Sequence, residues 1–149
     1  MKLYTIGFTK KSASEFFTLL KNNNIRVLVD IRLNNVSQLA GYTKRKDLEY
    51  FLTELLSIRY IHDLNLAPTK QILDDYKKKV ISWEQYEKSY IELLNERNIQ
   101  DNLNEKYNKN FENVCLLCSE STPENCHRRL AAEYIKKLYS ELDIEIVHL

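Results

Sequence analysis

An α/β fold is predicted: three layers, with a mostly parallel sheet of about five strands and helices on both faces. Three observations carry this prediction. Strand, helix, strand follow one another within the first thirty or so residues, which makes a βαβ unit. "RVLVDIR" (26–32) is a near-continuous apolar run, as a strand buried on both sides of a parallel sheet should be, and "VCLLCSE" (114–120) reads as a later strand. A chain of 149 residues with 44% apolar and 29% charged residues, and no internal repeat, second core or low-complexity tract, predicts a single domain over 1–149.

The elements follow in order. Leu3 to Phe8 is the first strand, and Gly7 at its end leaves room for a backbone or ligand to come close. Ser12 and Glu15 have capping-box spacing before a helix with Phe16, Leu19 and Leu20 on one face, and the Asn run at 22–24 stops it. After the second strand a polar connection, Leu33 to Lys46, leads to a helix with Leu48, Phe51, Leu52 and Leu55 at helical spacing. "IRYIHD" reads as the third strand. The stretch from about 64 to 110 is far longer than one crossover needs, so it predicts a helical insertion of two or three helices. One of them carries Trp83, Tyr86, Tyr90 and Leu94 as a core stripe, and "NLNEKYNKN" (102–110) reads as a polar loop. A helix around Leu130 to Tyr139 and a strand "IEIVHL" close the chain.

Composition narrows the function. Lys and Arg total 22 against 21 Asp and Glu, a net charge of +1, so neither a basic nucleic-acid coat nor a polybasic membrane anchor is expected and any anion site must be local. No run is long and apolar enough to span a bilayer, and the amino terminus lacks a signal peptide's apolar region, which predicts a cytoplasmic protein without a membrane partner. Three cysteines point to free thiols, a metal site or redox chemistry rather than a disulfide framework. With only Gly7 and Gly41, the chain has neither a Walker A loop nor a dinucleotide fingerprint.

Open parallel sheets bind ligands outside the carboxyl ends of their strands. Those ends supply Gly7 and Thr9, Asp30 and Arg32, His62 and Asp63, and Cys118 and Glu120. Asp30 and Arg32 point to the same face, as do Cys118 and Glu120 if the strand runs that far; Asp30 with Arg32 also reads as an ion pair that closes the sheet. "GYTKRKD" brings Lys44, Arg45 and Lys46 into the connection after the second strand, which could fold over the edge as a lid or stay solvated.

"CSESTPENCHRR" (118–129) is the densest stretch of reactive groups. A zinc reading through Cys115 and Cys118 fails because three residues along a strand separate the side chains onto opposite faces, and adjacent Cys126 and His127 make an awkward ligand pair, so no metal is expected. A thiol-enzyme reading needs only Cys118 at the strand's end, with His127 as proton-transfer partner, though the loop to Arg128 is longer and poorer in glycine than in rhodaneses and Cys-dependent phosphatases. An anion reading rests on His127, Arg128 and Arg129 in the first turn of a helix capped by Thr122 or Asn125, where cations oppose the dipole unless an anion sits nearby. Arg129 has Glu133 four residues on as a surface partner, and Arg128 has no such local partner. His127, half-buried beside Cys126, could be satisfied by a backbone carbonyl or by Asp30.

Through "TIGFT", "LVDIR", "LLCSE" and "CHRRLAAEYI" the whole chain resembles the domain of unknown function 488 family. The Cys, then some eight residues, then Cys-His-Arg-Arg opening a helix is its most specific part. The resemblance implies a small α/β domain with no settled activity and motif residues Gly7, Asp30, Arg32, Cys118, Glu120, Cys126, His127, Arg128 and Arg129. Family members commonly carry His-Ser where this chain has Phe8 and Thr9, and Gly-Gly where it has Asn65 and Leu66.

The leading expectation is a protein that binds a phosphorylated or otherwise anionic small molecule, such as a nucleotide, at the carboxyl edge. Gly7, Thr9, Asp30, Arg32, Cys126, Arg128 and Arg129 would form the binding set, with Cys118, Glu120 and His127 at the reacting end. The alternatives are a Cys118-dependent thiol enzyme and a noncatalytic module touching nucleic acid through Lys44 to Lys46. The sequence implies no particular cofactor, substrate or oligomeric state.

Overall fold

Strands β1 (Lys2–Gly7), β2 (Val27–Asp30), β3 (Arg59–His62), β4 (Val114–Cys118) and β5 (Glu145–His148) pair in one all-parallel sheet of order β3-β2-β4-β1-β5. The structure is a computed structural model, and it describes every residue except 37–39. The predicted α/β architecture and all five strands are present. Every residue of the apolar run in β4 is buried, as its central place requires, whereas edge strands β3 and β5 expose Arg59 and Glu145.

Six α-helices are described: α1 (Ala13–Asn22), α2 (Arg45–Tyr50), α3 (Lys70–Lys77), α4 (Trp83–Glu96), α5 (Ile99–Tyr107) and α6 (His127–Leu138). Helix α2 continues as a π turn over Phe51–Leu55. The Ser12/Glu15 box forms at α1, with Ser12 Oγ accepting from the Glu15 amide at 3.1 Å and Glu15 Oε2 from the Ser12 amide at 2.9 Å. Such a cap stabilises a helix by about 1 kcal/mol.

The pleat of the strands divides the core. Tyr4, Ile6, Leu28, Cys115 and Leu117 face α1 and α2 through Phe16, Leu20, Leu48 and Leu52. Leu3, Val29 and Leu116 face the other helices through Tyr90, Leu94, Leu103, Leu130 and Ile135. The chain moves from β1 through β2 to β3 in one direction along the sheet with its helices on one face. It returns to β4 and on to β5 with its helices on the other, as right-handed crossovers demand. Neighbours β1 and β4, in register Gly7 to Cys118, thus send their following helices to opposite faces, and a crevice opens above their carboxyl ends.

Residues 102–110 are a correction. Most of this stretch is the second half of α5 and not a loop, held by Ile99, Leu103 and Tyr107, which are buried at a spacing of four. Polar residues mask that narrow stripe, and Asn98 and Asn108 bound it in the left-handed conformation that asparagine tolerates.

Candidate functional site

The strand carrying Cys118 ends at that residue, and a turn-rich loop leads to Cys126, the extended residue before α6, with φ −137° and ψ 136°. Neither Thr122 nor Asn125 caps the helix; Cys126 holds the cap position without a side-chain bond to the backbone. Extended Cys126 and helical His127 therefore both reach Cys118, and the sequence argument that adjacent residues make an awkward pair does not hold here. Their three donor atoms lie within 4.8 Å of one another, all three residues buried.

His127 has a fixed tautomer. Its Nε2 lies 2.8 Å from the Ile31 carbonyl, which can only accept, so Nε2 carries a proton and the neutral ring has its lone pair on Nδ1. Nδ1 sits 3.4 Å from Cys118 Sγ. Burial, the strongest influence on the Cys118 thiol, pushes it up. Hydrogen bonds from the Cys126 thiol and the Ser119 amide, the charge of Arg128 and the Glu120 amide more than offset this and hold it below the ordinary cysteine value. Burial and the neighbouring Cys118 push Cys126 well up, so Cys126 keeps its proton and donates. Chemically, the cluster can supply a thiolate with an imidazole beside it, or three soft donors converging on one point. Cys115 faces α1, apart from the cluster, as its register predicts.

Asp30 and Arg32 form the ion pair that closes the sheet. Arg32 Nε and Nη2 donate to the two Asp30 oxygens at 2.8 and 2.7 Å, and Nη2 also donates to the Thr43 carbonyl at 2.8 Å. Tyr60, which sequence reasoning did not pick out, donates to Asp30 Oδ2 at 2.7 Å. Burial and then the Asp30 charge hold the Tyr60 phenol well up, so it stays a donor. Although Arg32 is only 3% exposed, its Nη1 has no hydrogen-bond partner among the described residues.

Arg128 is fully buried. Its Nη1 donates to the Glu120 carbonyl at 2.5 Å, while Nε and Nη2 have no partner among the described residues. Gly7 makes this possible, because a Cβ there would collide with the Glu120 carbonyl and lie 2.8 Å from Arg128 Nη1. The close approach expected at Gly7 is thus that of the 119–126 loop. Since no glycine has a positive φ, it is space and not conformational freedom that requires glycine here.

A cavity of about 270 Å³ opens over the cluster. Cys118, Cys126, His127 and Arg32 line its inner end, Tyr76, Trp83 and Tyr86 form one wall, and Lys77, Glu120 and Asn125 lie among its polar lining. Trp83 stacks on Tyr86 with ring centroids 4.9 Å apart, so the predicted core stripe is core through Tyr86, Tyr90 and Leu94 and also walls the cavity at its first turn. Glu120 reaches this lining from the loop, beyond the end of the strand.

The remaining sequence candidates lie elsewhere. Gly7, Thr9, Arg128 and Arg129 do not line the cavity. Thr9 donates its amide to the Ser119 carbonyl at 3.0 Å. Arg129 is held on the surface by Glu133 at 3.0 Å and Glu87 at 3.2 Å. Asp63 pairs with Lys106 at 2.9 Å, and His62 Nε2 meets the Arg32 carbonyl at 2.8 Å. The connection weighed as a lid or a solvated run passes through 37–39, outside the described residues; its Lys44, Arg45 and Lys46 lie at the start of α2, off the cavity lining. No described helix is long and apolar enough to cross a membrane.

A family model described as "Domain of unknown function DUF488" matches residues 12–135. That span contains every cavity-lining candidate and leaves Gly7 and Thr9 outside it. No curated protein matches the chain, and no solved structure does.

Proposed function

Taking as premise that the chain belongs to the DUF488 family, a domain to which no function is assigned, we propose that its cavity binds a small anionic molecule of at most mononucleotide size. One observation carries the reading: Arg32 lines the cavity, and one of its guanidinium nitrogens is buried with no acceptor among the described residues. A buried donor left unmade costs about 1–3 kcal/mol, and a phosphate or carboxylate oxygen would recover it. Arg32 is already neutralised by Asp30, so the orphan nitrogen acts as a directional donor more than as a free charge. Lys77 in the lining and the amino end of α6 add positive potential. The aromatic wall supports a planar group on the same ligand, and nucleotides are the class that supplies both. A volume of about 270 Å³ is at the small end for ligand sites and disfavours a dinucleotide.

Trp83 is the only tryptophan of the chain, so its emission reports on the cavity alone. Titration with a nucleoside monophosphate should change that emission saturably, inorganic phosphate should compete, and Arg32→Lys should weaken binding by roughly tenfold or more, because lysine lacks the fork that holds Asp30. If neither compound alters the emission or protects the fold against heat at millimolar concentration, the reading is wrong.

A further inference from the structure

We propose that Cys118, Cys126 and His127 form a binding site for a zinc-class divalent cation, with the fourth coordination position open to the cavity. This goes beyond the ligand reading and does not depend on it.

Geometry is the first support. Zinc binds thiolate sulfur at about 2.3 Å and imidazole nitrogen at about 2.0–2.1 Å, so tetrahedral ligands stand roughly 3.5 Å apart for S and N and roughly 3.8 Å for S and S. Cys118 Sγ and His127 Nδ1 are 3.4 Å apart, and Cys126 Sγ is within 4.8 Å of Cys118 Sγ and of a ring nitrogen of His127. Small side-chain rotations suffice to close the set around an ion.

The outer groups are also in place. A metal-binding histidine usually donates its other ring N–H to a carbonyl or carboxylate, which fixes ring and tautomer. His127 does this through Nε2 to Ile31, and the nitrogen left with a lone pair is the one beside Cys118. The positive charge of Arg128 and the backbone amides of Ser119 and Glu120 face the Cys118 sulfur, where a coordinated thiolate would carry charge.

Donor type and number set the class of ion. Two sulfurs and one imidazole, with no carboxylate among them, suit zinc and disfavour magnesium or calcium. Three protein ligands under a cavity leave a position for water or for the anionic group of a ligand, as in catalytic zinc sites, whereas structural sites close with four. Residues Cys118 and Cys126 are eight apart in sequence and on different elements, so the site ties the end of β4 to the start of α6 across the crevice.

The test uses the full chain, reduced and freed of metal, titrated with cobalt. One equivalent should give the intense visible bands of tetrahedral cobalt with thiolate-to-metal charge transfer, and zinc should bleach them. Cys118→Ser and Cys126→Ser should each lose the signal, and Cys115→Ser, altered on the opposite face, should keep it. Zinc should also slow alkylation of Cys118 and Cys126 in the unmutated protein, read peptide by peptide, without changing Cys115; this arm stands even if a variant does not fold. Absence of the tetrahedral spectrum in the reduced protein, its survival in both cluster variants, or equal alkylation with and without zinc overturns the site. None of these readouts involves Trp83 or phosphate, so failure here leaves the ligand reading untouched, and failure there leaves this one.

Discussion

Cys115 and Cys118 lie on one five-residue strand, and the pleat gives them different chemistry. Cys115 points into the layer under α1 and α2, where burial pushes its thiol far up and only the Arg128 charge opposes this. Cys118 points to the other face, where a histidine, a second thiol and backbone amides surround it and the thiol is lowered although it is equally enclosed. Burial alone therefore does not decide reactivity; the groups that share the burial do. The α1 face is a packed hydrocarbon layer up to the crevice, while the α6 face opens at its carboxyl end because α6 begins there with polar and sulfur side chains.

This contrast can be broken or sharpened at three scales. The largest effect is on reactivity. In metal-free, reduced protein at neutral pH, Cys118 should alkylate on the order of 100-fold faster than Cys115. Its rate should rise with pH around a midpoint below the ordinary cysteine value, because a lowered thiol keeps its thiolate to lower pH, and that of Cys115 around one above it. Equal rates would remove the distinction between the faces. Next in size is stability: Phe16→Ala empties a fully buried position on the inner face of α1 and should cost about 3–5 kcal/mol in urea unfolding. The Trp83 response of the folded fraction should be unchanged; if it is lost as well, the two faces are not independent. The smallest effect belongs to Arg129→Ala, which removes surface ion pairs and should cost at most about 1 kcal/mol with cobalt uptake intact. A large loss of cobalt binding there would mean that Arg129 shapes the cluster after all.

Much of the architecture was legible because strands buried on both faces leave continuous apolar runs, and because capping residues mark helix starts. Helix α5 was not, since three apolar residues among asparagines, acids, a glutamine and a lysine carry too little periodic signal. At the site, the sequence placed Cys118, Arg32 and His127 at one edge, and the backbone carbonyl weighed as a partner for His127 is that of Ile31. Two things escaped it. Whether Cys126 and His127 converge depends on the backbone dihedrals at the helix start, and no residue type encodes those. The inward course of Arg128 depends on the 119–126 loop crossing Gly7, a contact made by a backbone carbonyl and therefore silent in the loop's side chains.

Gly7 is thus a position where the assembly of the site can be separated from its chemistry. A methyl group added there meets a carbonyl that no rotamer change can move aside, so the 119–126 loop, which carries Cys126 and leads into Arg128, must lift while the cysteines, the histidine and both buried arginines all remain in the chain. Gly7→Ala offers geneticists a loss-of-site allele that deletes no reactive atom. A phenotype shared with Cys118→Ser would trace to the assembled cluster and not to the chemistry of any one side chain.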